Sequence, residues 1–223
     1  MTITLGVLVS GSGSNLQSIM DHIAQGTLDA TIAVVIANNP DALGLQRAQK
    51  AGIPTQCVMH QEFPKREDFD IQLVHILQDA GVEWVVLAGF MRILTPVFLA
   101  PFAGRVVNIH PALLPACPGI EAQAQQVDYG VRLAGCTVHF VDEKMDHGPI
   151  IIQAAVPAYA DDDSSRLGAR ILELEHRIYP QALQWIAEGR IQLQDRQVQV
   201  QGVARSTSSR WWTNPPLEAP FDQ

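Results

Sequence analysis

Between Leu5 and His110 short apolar, β-branched runs alternate with stretches whose apolar residues recur at helical spacing, and this alternation restricts the fold more than anything else in the sequence. The runs are Leu5 to Ser10, Ile32 to Ala37, Ile53 to Met59, Glu83 to Gly89 and Arg105 to His110. Helical segments are expected at Leu16 to Ile23, at Ala42 to Ala51 closed by Gly52, and from Pro64 near a first turn to Asp79. The order, βαβαβαβαβ, predicts an α/β, Rossmann-like fold: a mostly parallel sheet joined by right-handed crossovers, with helices on both faces. Pro54 sends the third strand toward an edge, and the unbroken apolar run of the fourth makes it central.

Beyond Gly119 the pattern changes. Glu121 to Tyr129 reads as a helix, then Gly135 to Val141 and Gly148 to Val156 as strands whose connection is short enough for an antiparallel pair. The sheet is therefore expected to be mixed, with an antiparallel C-terminal extension. Asp161-Asp162-Asp163-Ser164-Ser165 caps a long helix through Glu188, its apolar face built from Leu167, Ile171, Leu174 and Ile178. A short strand pair follows up to Gln201. We expect one domain over 1–201, with halves 1–107 and 108–201, and a flexible tail over 202–223 in which Trp211 and Trp212 dock on the body or on a partner.

Composition narrows the classes of function. Of 223 residues, 47% are hydrophobic and 17% charged, as in a soluble globular protein. The net charge of -8 and the lack of a Lys/Arg cluster argue against nucleic acid as a partner, because phosphate contacts need a basic face. No apolar run reaches membrane length, and the start lacks the basic region of a signal peptide, so no membrane association is expected. Cys57, Cys117 and Cys136 are odd in number and widely spaced, which suits free thiols in a reducing cytoplasm. Cys136 and His139 are three apart on a strand and face opposite sides, so no metal is expected there. The acidic run before the long helix is read as a solvated cap.

The first strand leads through Gly11-Ser12-Gly13-Ser14-Asn15 into a helix, and such a loop aims backbone N–H groups at an anion. A dinucleotide would need a third glycine where Leu16 stands and an acid after the second strand, where the chain reads Asn38-Asn39-Pro40. A phosphate monoester is favoured, and a plain glycine turn is the alternative.

Asn108 and His110 are two apart on one strand and project to the same face, while Pro111 stops the strand at its carboxyl end. An amide and an imidazole at that end suit a reaction in which an oxyanion develops. A hydrogen-bonded structural histidine is the other reading. Thr137 and His139 share a face of their strand and are aimed at the same cleft as Asn108. A carboxylate beside an imidazole favours its charged form, and Asp146 is the candidate to face His110. Phe90 to Pro96 has the composition of a core segment and equally of a pocket for a flat ligand. With no Ser or Cys nucleophile, an acyl-transfer constellation leaves the nucleophile to the substrate.

Five blocks, in order, are similar to one family. Gly11 to Gln17, Leu87 to Leu94, Asn108 to Pro115, Gly135 to Asp142 and Asp146 to Ile151 resemble the folate-dependent phosphoribosylglycinamide formyltransferases, over Met1 to about Arg190. The resemblance implies the formyltransferase fold and transfer of a formyl group from 10-formyltetrahydrofolate to the glycine amine of glycinamide ribonucleotide, in a monomer or homodimer. It implies Asn108, His110 and Asp146 as catalytic residues, with Thr137 and His139 in support. Gly13, Ser14 and Asn15 would hold the ribose phosphate, with Ile109 on the ribose side and Glu175 on the sugar hydroxyls. Arg66, Met91, Arg92, Ile93, Leu94, Asn108, Val141, Asp142 and Asp146 would hold the folate. Many relatives carry His where this chain has Glu121, so no role passes to that position.

Overall fold

Two units divide the computed structural model, Met1–Asn108 and Ile109–Gln223, and the boundary falls inside a strand. Residues 2–203, 212–214 and 218–219 are described, with backbone alone at 212–214. The first unit runs β1 (Ile3–Val9), α1 (Ser14–Ala24), β2 (Ala30–Ala37), α2 (Leu43–Lys50), β3 (Thr55–Cys57), a 3-10 turn at His60–Glu62, α3 (Arg66–Asp79), β4 (Trp84–Leu87), α4 (Pro96–Leu99) and the start of β5 (Val106–His110). Its strands lie in the order β5-β4-β1-β2-β3, with every pairing parallel. Val7 sits opposite both Val35 and Val86, and Leu87 opposite Asn108.

Leu5, Val7, Leu8 and Val9 are fully buried, the burial of a strand covered on both faces. That explains a continuous apolar run instead of an alternating one. β3 is an edge strand, as Pro54 requires, although only three residues of the expected run pair. Pro64 lies outside its helix: Lys65 is extended and α3 begins at Arg66, so the proline ends the preceding turn. The span read as a loop from Phe90 closes in the short α4, with Pro96 at its first position, where a missing N–H costs nothing.

The second unit contains α5 (Ala122–Tyr129), β6 (Leu133–Phe140), β7 (Ile150–Pro157), α6 (Ser164–Ala187), β8 (Ile191–Gln194), β9 (Gln197–Val200) and β10 (Trp212–Asn214). β6 and β7 are antiparallel, with Thr137 opposite Gln153, and β8 and β9 form a separate hairpin. α6 packs on β6, β7 and α5 through a face that includes Leu167, Ile171, Leu174 and Ile178, each at most 1% exposed. The Asp163 carboxylate accepts the Arg166 N–H at 2.8 Å, so the acidic run does cap this helix. Pro180 stands inside α6 and is tolerated among fully buried Tyr179, Ala182 and Leu183, whose packing outweighs one lost backbone bond.

The span expected to be a flexible tail includes β10 and Glu218, both with partners in the second unit. β10 pairs antiparallel with β7, Trp212 opposite Ala155. Glu218 accepts two N–H groups from Arg190, each at 2.7 Å, and donates its own N–H to Gln181. An edge strand with unpaired backbone groups is a template for such an addition. Trp211 lies outside the described residues, as do 204–210, 215–217 and 220–223.

Candidate active site

β5 ends at Pro111 and leaves His110 only 4% exposed. Its Nε2 is 2.8 Å from the Cys117 carbonyl oxygen, which can only accept, so Nε2 carries a hydrogen. Nδ1 lies 3.5 Å from Asp146 Oδ2. Asp146 comes from the connection between β6 and β7, with φ of 49°, and its Oδ2 also accepts the Gly119 N–H at 2.7 Å. The carboxylate is thus fixed by a backbone donor while it faces the ring.

A second imidazole flanks the same carboxylate. His139 Nε2 is 3.8 Å from Asp146 Oδ1, too far for a hydrogen bond, while Nδ1 donates to the Phe140 carbonyl at 2.7 Å. Burial lowers the His139 pKa, and the Phe140 carbonyl and the Asp146 charge only partly oppose it. The ring is therefore neutral at pH 7.

Thr137, fully buried, holds the chain that follows His110. Its hydroxyl donates to the Ala112 carbonyl at 2.7 Å and accepts the Leu114 N–H at 3.1 Å, and the Gln153 amide donates to both the hydroxyl and the Leu114 carbonyl. The Gln126 amide donates to the Pro111 carbonyl at 2.9 Å. Residues 111–114 are thereby tied to β6, β7 and α5, and a buried network with its partners in place fixes one geometry.

Asp142 opens the loop that carries Asp146. It accepts the Lys144 N–H and pairs with His147 Nδ1, both at 2.9 Å. Burial, the largest influence, raises the Asp142 pKa, but the His147 and Lys144 hydrogen bonds together outweigh it and the net shift is downward. Val141 is half-buried beside it. Glu175 is 6% exposed on α6, and its charge adds to the burial that pushes the Cys136 thiol well up. Glu121 is the N-cap of α5, in the left-handed region at φ 56°, with no side-chain cap.

The first unit holds the other expected site residues except Ile109. Gly13 adopts φ 67°, and a Cβ there would stand 2.5 Å from Gly44 Cα, so the loop depends on glycine at that position. Gly44 donates its N–H to the Gly11 carbonyl, and Arg47 Nε donates to the Ser12 carbonyl at 2.9 Å. Ser14 and buried Asn15 open α1. Ser10 donates to Asn38 Oδ1 at 2.7 Å and accepts the Met91 N–H at 2.8 Å, which ties the loop after β4 to the end of β1.

Arg66 donates to the Ile93 carbonyl at 2.6 Å, and buried Asp70 accepts the Thr95 N–H, also at 2.6 Å. The loop whose composition left two readings open is part core and part exposed. Phe90 and Leu94 are core, at 8% and 5% exposure, while Met91 and Ile93 stand out at 66% and 50%; Arg92 is half-buried. Asn108 is half-buried on β5 and Ile109 buried.

Sequence reasoning missed the Cys117 carbonyl and the Gly119 amide, because backbone groups leave no mark in composition. It also missed Arg47, Ser10 and Asn38, whose partners are distant in sequence. No group of three or more His, Cys, Asp or Glu among the described residues is placed to hold a metal. No helix among them is long and apolar enough to cross a membrane.

The buried imidazole thus has a carboxylate on one nitrogen and a backbone carbonyl on the other. Residues 4–183 match the sequence profile of the formyl transferase family. The phosphoribosylglycinamide formyltransferase of Escherichia coli (strain K12) is 42% identical over 196 residues, 88% of this chain and 92% of that protein. The trifunctional purine biosynthetic protein adenosine-3 of Drosophila pseudoobscura pseudoobscura is 49% identical over 188 residues, which are 83% of this chain but 14% of that longer protein. Among solved structures, glycinamide ribonucleotide transformylase 1 of Symbiobacterium toebii superposes with a TM-score of 0.88 at 48% identity, covering 89% of this chain and 94% of that one. The chain belongs to the formyl transferase family, and within it to the phosphoribosylglycinamide formyltransferases.

Proposed function

We propose that this chain transfers the formyl group of 10-formyltetrahydrofolate to the glycine amine of glycinamide ribonucleotide, giving the N-formyl product and tetrahydrofolate in purine synthesis. The observation that carries the reading is the approach of Asp146 to the buried His110 ring at 3.5 Å, in a chain of this family. Asn108 donates from its amide to the formyl oxygen as negative charge gathers there, and His110 donates from the Nε2–H that otherwise rests on the Cys117 carbonyl. Asp146 orients the ring and helps pass a proton toward the departing folate nitrogen. Thr137 and His139 support this group, Thr137 by holding residues 112–114 and His139 by flanking the carboxylate.

Gly13, Ser14 and Asn15 hold the substrate phosphate at the start of α1, where backbone N–H groups and the helix dipole favour an anion. Ile109 and Glu175 complete the ribose side. On the donor side, exposed Met91 and Ile93 offer apolar surface for a flat ring, and Arg66 and Arg92 offer cations for carboxylates. Leu94, Val141 and the loop from Asp142 to Asp146 complete the folate contacts. The three free thiols suit a reducing cytoplasm.

Incubation of the protein with the formyl donor, with and without glycinamide ribonucleotide, tests the reading. Tetrahydrofolate should accumulate only when the amine is present, together with the formylated ribonucleotide. Steady release of formate without the amine would make water the acceptor and the protein a hydrolase.

A further inference from the structure

The hairpin β8–β9 reaches the loop that carries Asp146. Its two-residue turn is Asp195-Arg196, with Asp195 at φ 54°, which leaves Arg196 at the tip. Arg196 Nη2 donates to the His147 carbonyl at 2.6 Å, and Nη1 lies 3.1 Å and 3.4 Å from the two ring nitrogens of the same residue. His147 Nδ1 is in turn 2.9 Å from Asp142 Oδ2. One guanidinium thus spans the backbone and ring of His147, the residue directly after Asp146, and through the ring reaches the other end of the loop at Asp142.

The loop has few other anchors. Glu143, Lys144, Met145 and His147 are exposed, and Asp146 is held in a left-handed conformation that a non-glycine residue adopts only when its surroundings impose it. The Gly119 N–H fixes the Asp146 carboxylate from one side, and Met145 lies against Gly119. β9 packs on β7, the strand that follows the loop, so the hairpin tip is held where it can act.

We infer that Arg196 is a positioning residue for the transfer reaction: from the hairpin tip it pins the 142–147 loop and thereby keeps the Asp146 carboxylate on the Gly119 amide and against His110. The inference rests on the catalytic reading of Asp146 for its effect on rate, but not for its effect on geometry. An exposed arginine contributes little to global stability, so the effect is local. Small displacements of a catalytic group lower rate steeply, by roughly 100-fold for about 1 Å.

Arg196→Ala and Arg196→Lys, made in the full chain, separate the two. In Arg196→Ala the Gly119 amide should exchange its hydrogen about tenfold faster, since it loses part of a charge-assisted bond, while amides of β6 and β7 keep their protection. The kcat of Arg196→Ala should fall roughly ten- to 100-fold, with KM for glycinamide ribonucleotide within about twofold. Arg196→Lys, which restores one donor to the carbonyl but not the fork over the ring, should recover part of the loss. Unchanged Gly119 protection in Arg196→Ala overturns the inference whatever the activity. Faster Gly119 exchange with full kcat upholds the pinning and overturns the role of Arg196 in the reaction.

Discussion

His110 and Asp146 are both removed from bulk water, and each has a backbone partner that does not depend on substrate, the Cys117 carbonyl for the ring and the Gly119 amide for the carboxylate. The carboxylate keeps its partner as charge develops, while the ring N–H exchanges the Cys117 carbonyl for the substrate oxygen. His110→Ala should therefore lower kcat by roughly 100- to 1,000-fold, and Asp146→Asn should do so while folate binding persists, because the amide keeps the shape but not the charge. Steady-state kinetics alongside a folate titration check this, and wild-type turnover in Asp146→Asn would exclude the carboxylate. These two side chains were legible in the sequence as candidates, by residue type. Their partners were not, since one carbonyl and one N–H are the same in every residue.

At the scale of elements, the glycine loop and the two helices beside it form one device. Neither Gly13 nor Gly44 has room for a methyl group: a Cβ on Gly13 would lie 2.5 Å from Gly44 Cα in α2, and one on Gly44 2.9 Å from Val9 Cγ2 in β1. Arg47, one turn into α2, then bonds back to Ser12 and Gln17, so α2 buttresses the loop that opens α1. Gly13→Ala combines a left-handed backbone with a clash against backbone atoms and should destabilise the chain by about 1–3 kcal/mol. The loop should also lose ribonucleotide affinity. Denaturant unfolding and substrate titration of this variant measure the two effects separately, and wild-type affinity would remove the loop from the phosphate site. The strand, loop and helix were plain from local pattern. The buttress was not, because Gly44 and Arg47 carry no signal until the crossover sets α2 against the loop.

For the molecule as a whole, His139 contributes the first part of the decline in stability on the acid side. Its folded pKa lies below the 6.5 of the free group because burial disfavours the cation. As pH falls below about 6.5 the unfolded chain takes up this proton before the folded one does, so stability declines from there through the lower folded value. Burial pushes the Asp70 pKa up, which works in the opposite sense at lower pH. The informative quantity is thus the difference between wild type and His139→Asn, whose unfolding free energy should vary less between about pH 7.5 and about pH 5.5. Parallel slopes for the two proteins over that range would show that His139 is not the group responsible.

The sequence by itself determined the order of strands and helices, the parallel first half and antiparallel continuation, the glycine loop, the capped final helix and the residue types able to do the chemistry. These follow from periodicity, turn residues and caps, which act over a few neighbours. Tertiary structure alone decided which loop groups meet: that Asp146 arrives between His110 and His139, that Arg196 reaches His147, and that the chain after Gly202 returns to add a strand to β7. Such meetings depend on strand register and on the path of connections between elements, which no local pattern encodes.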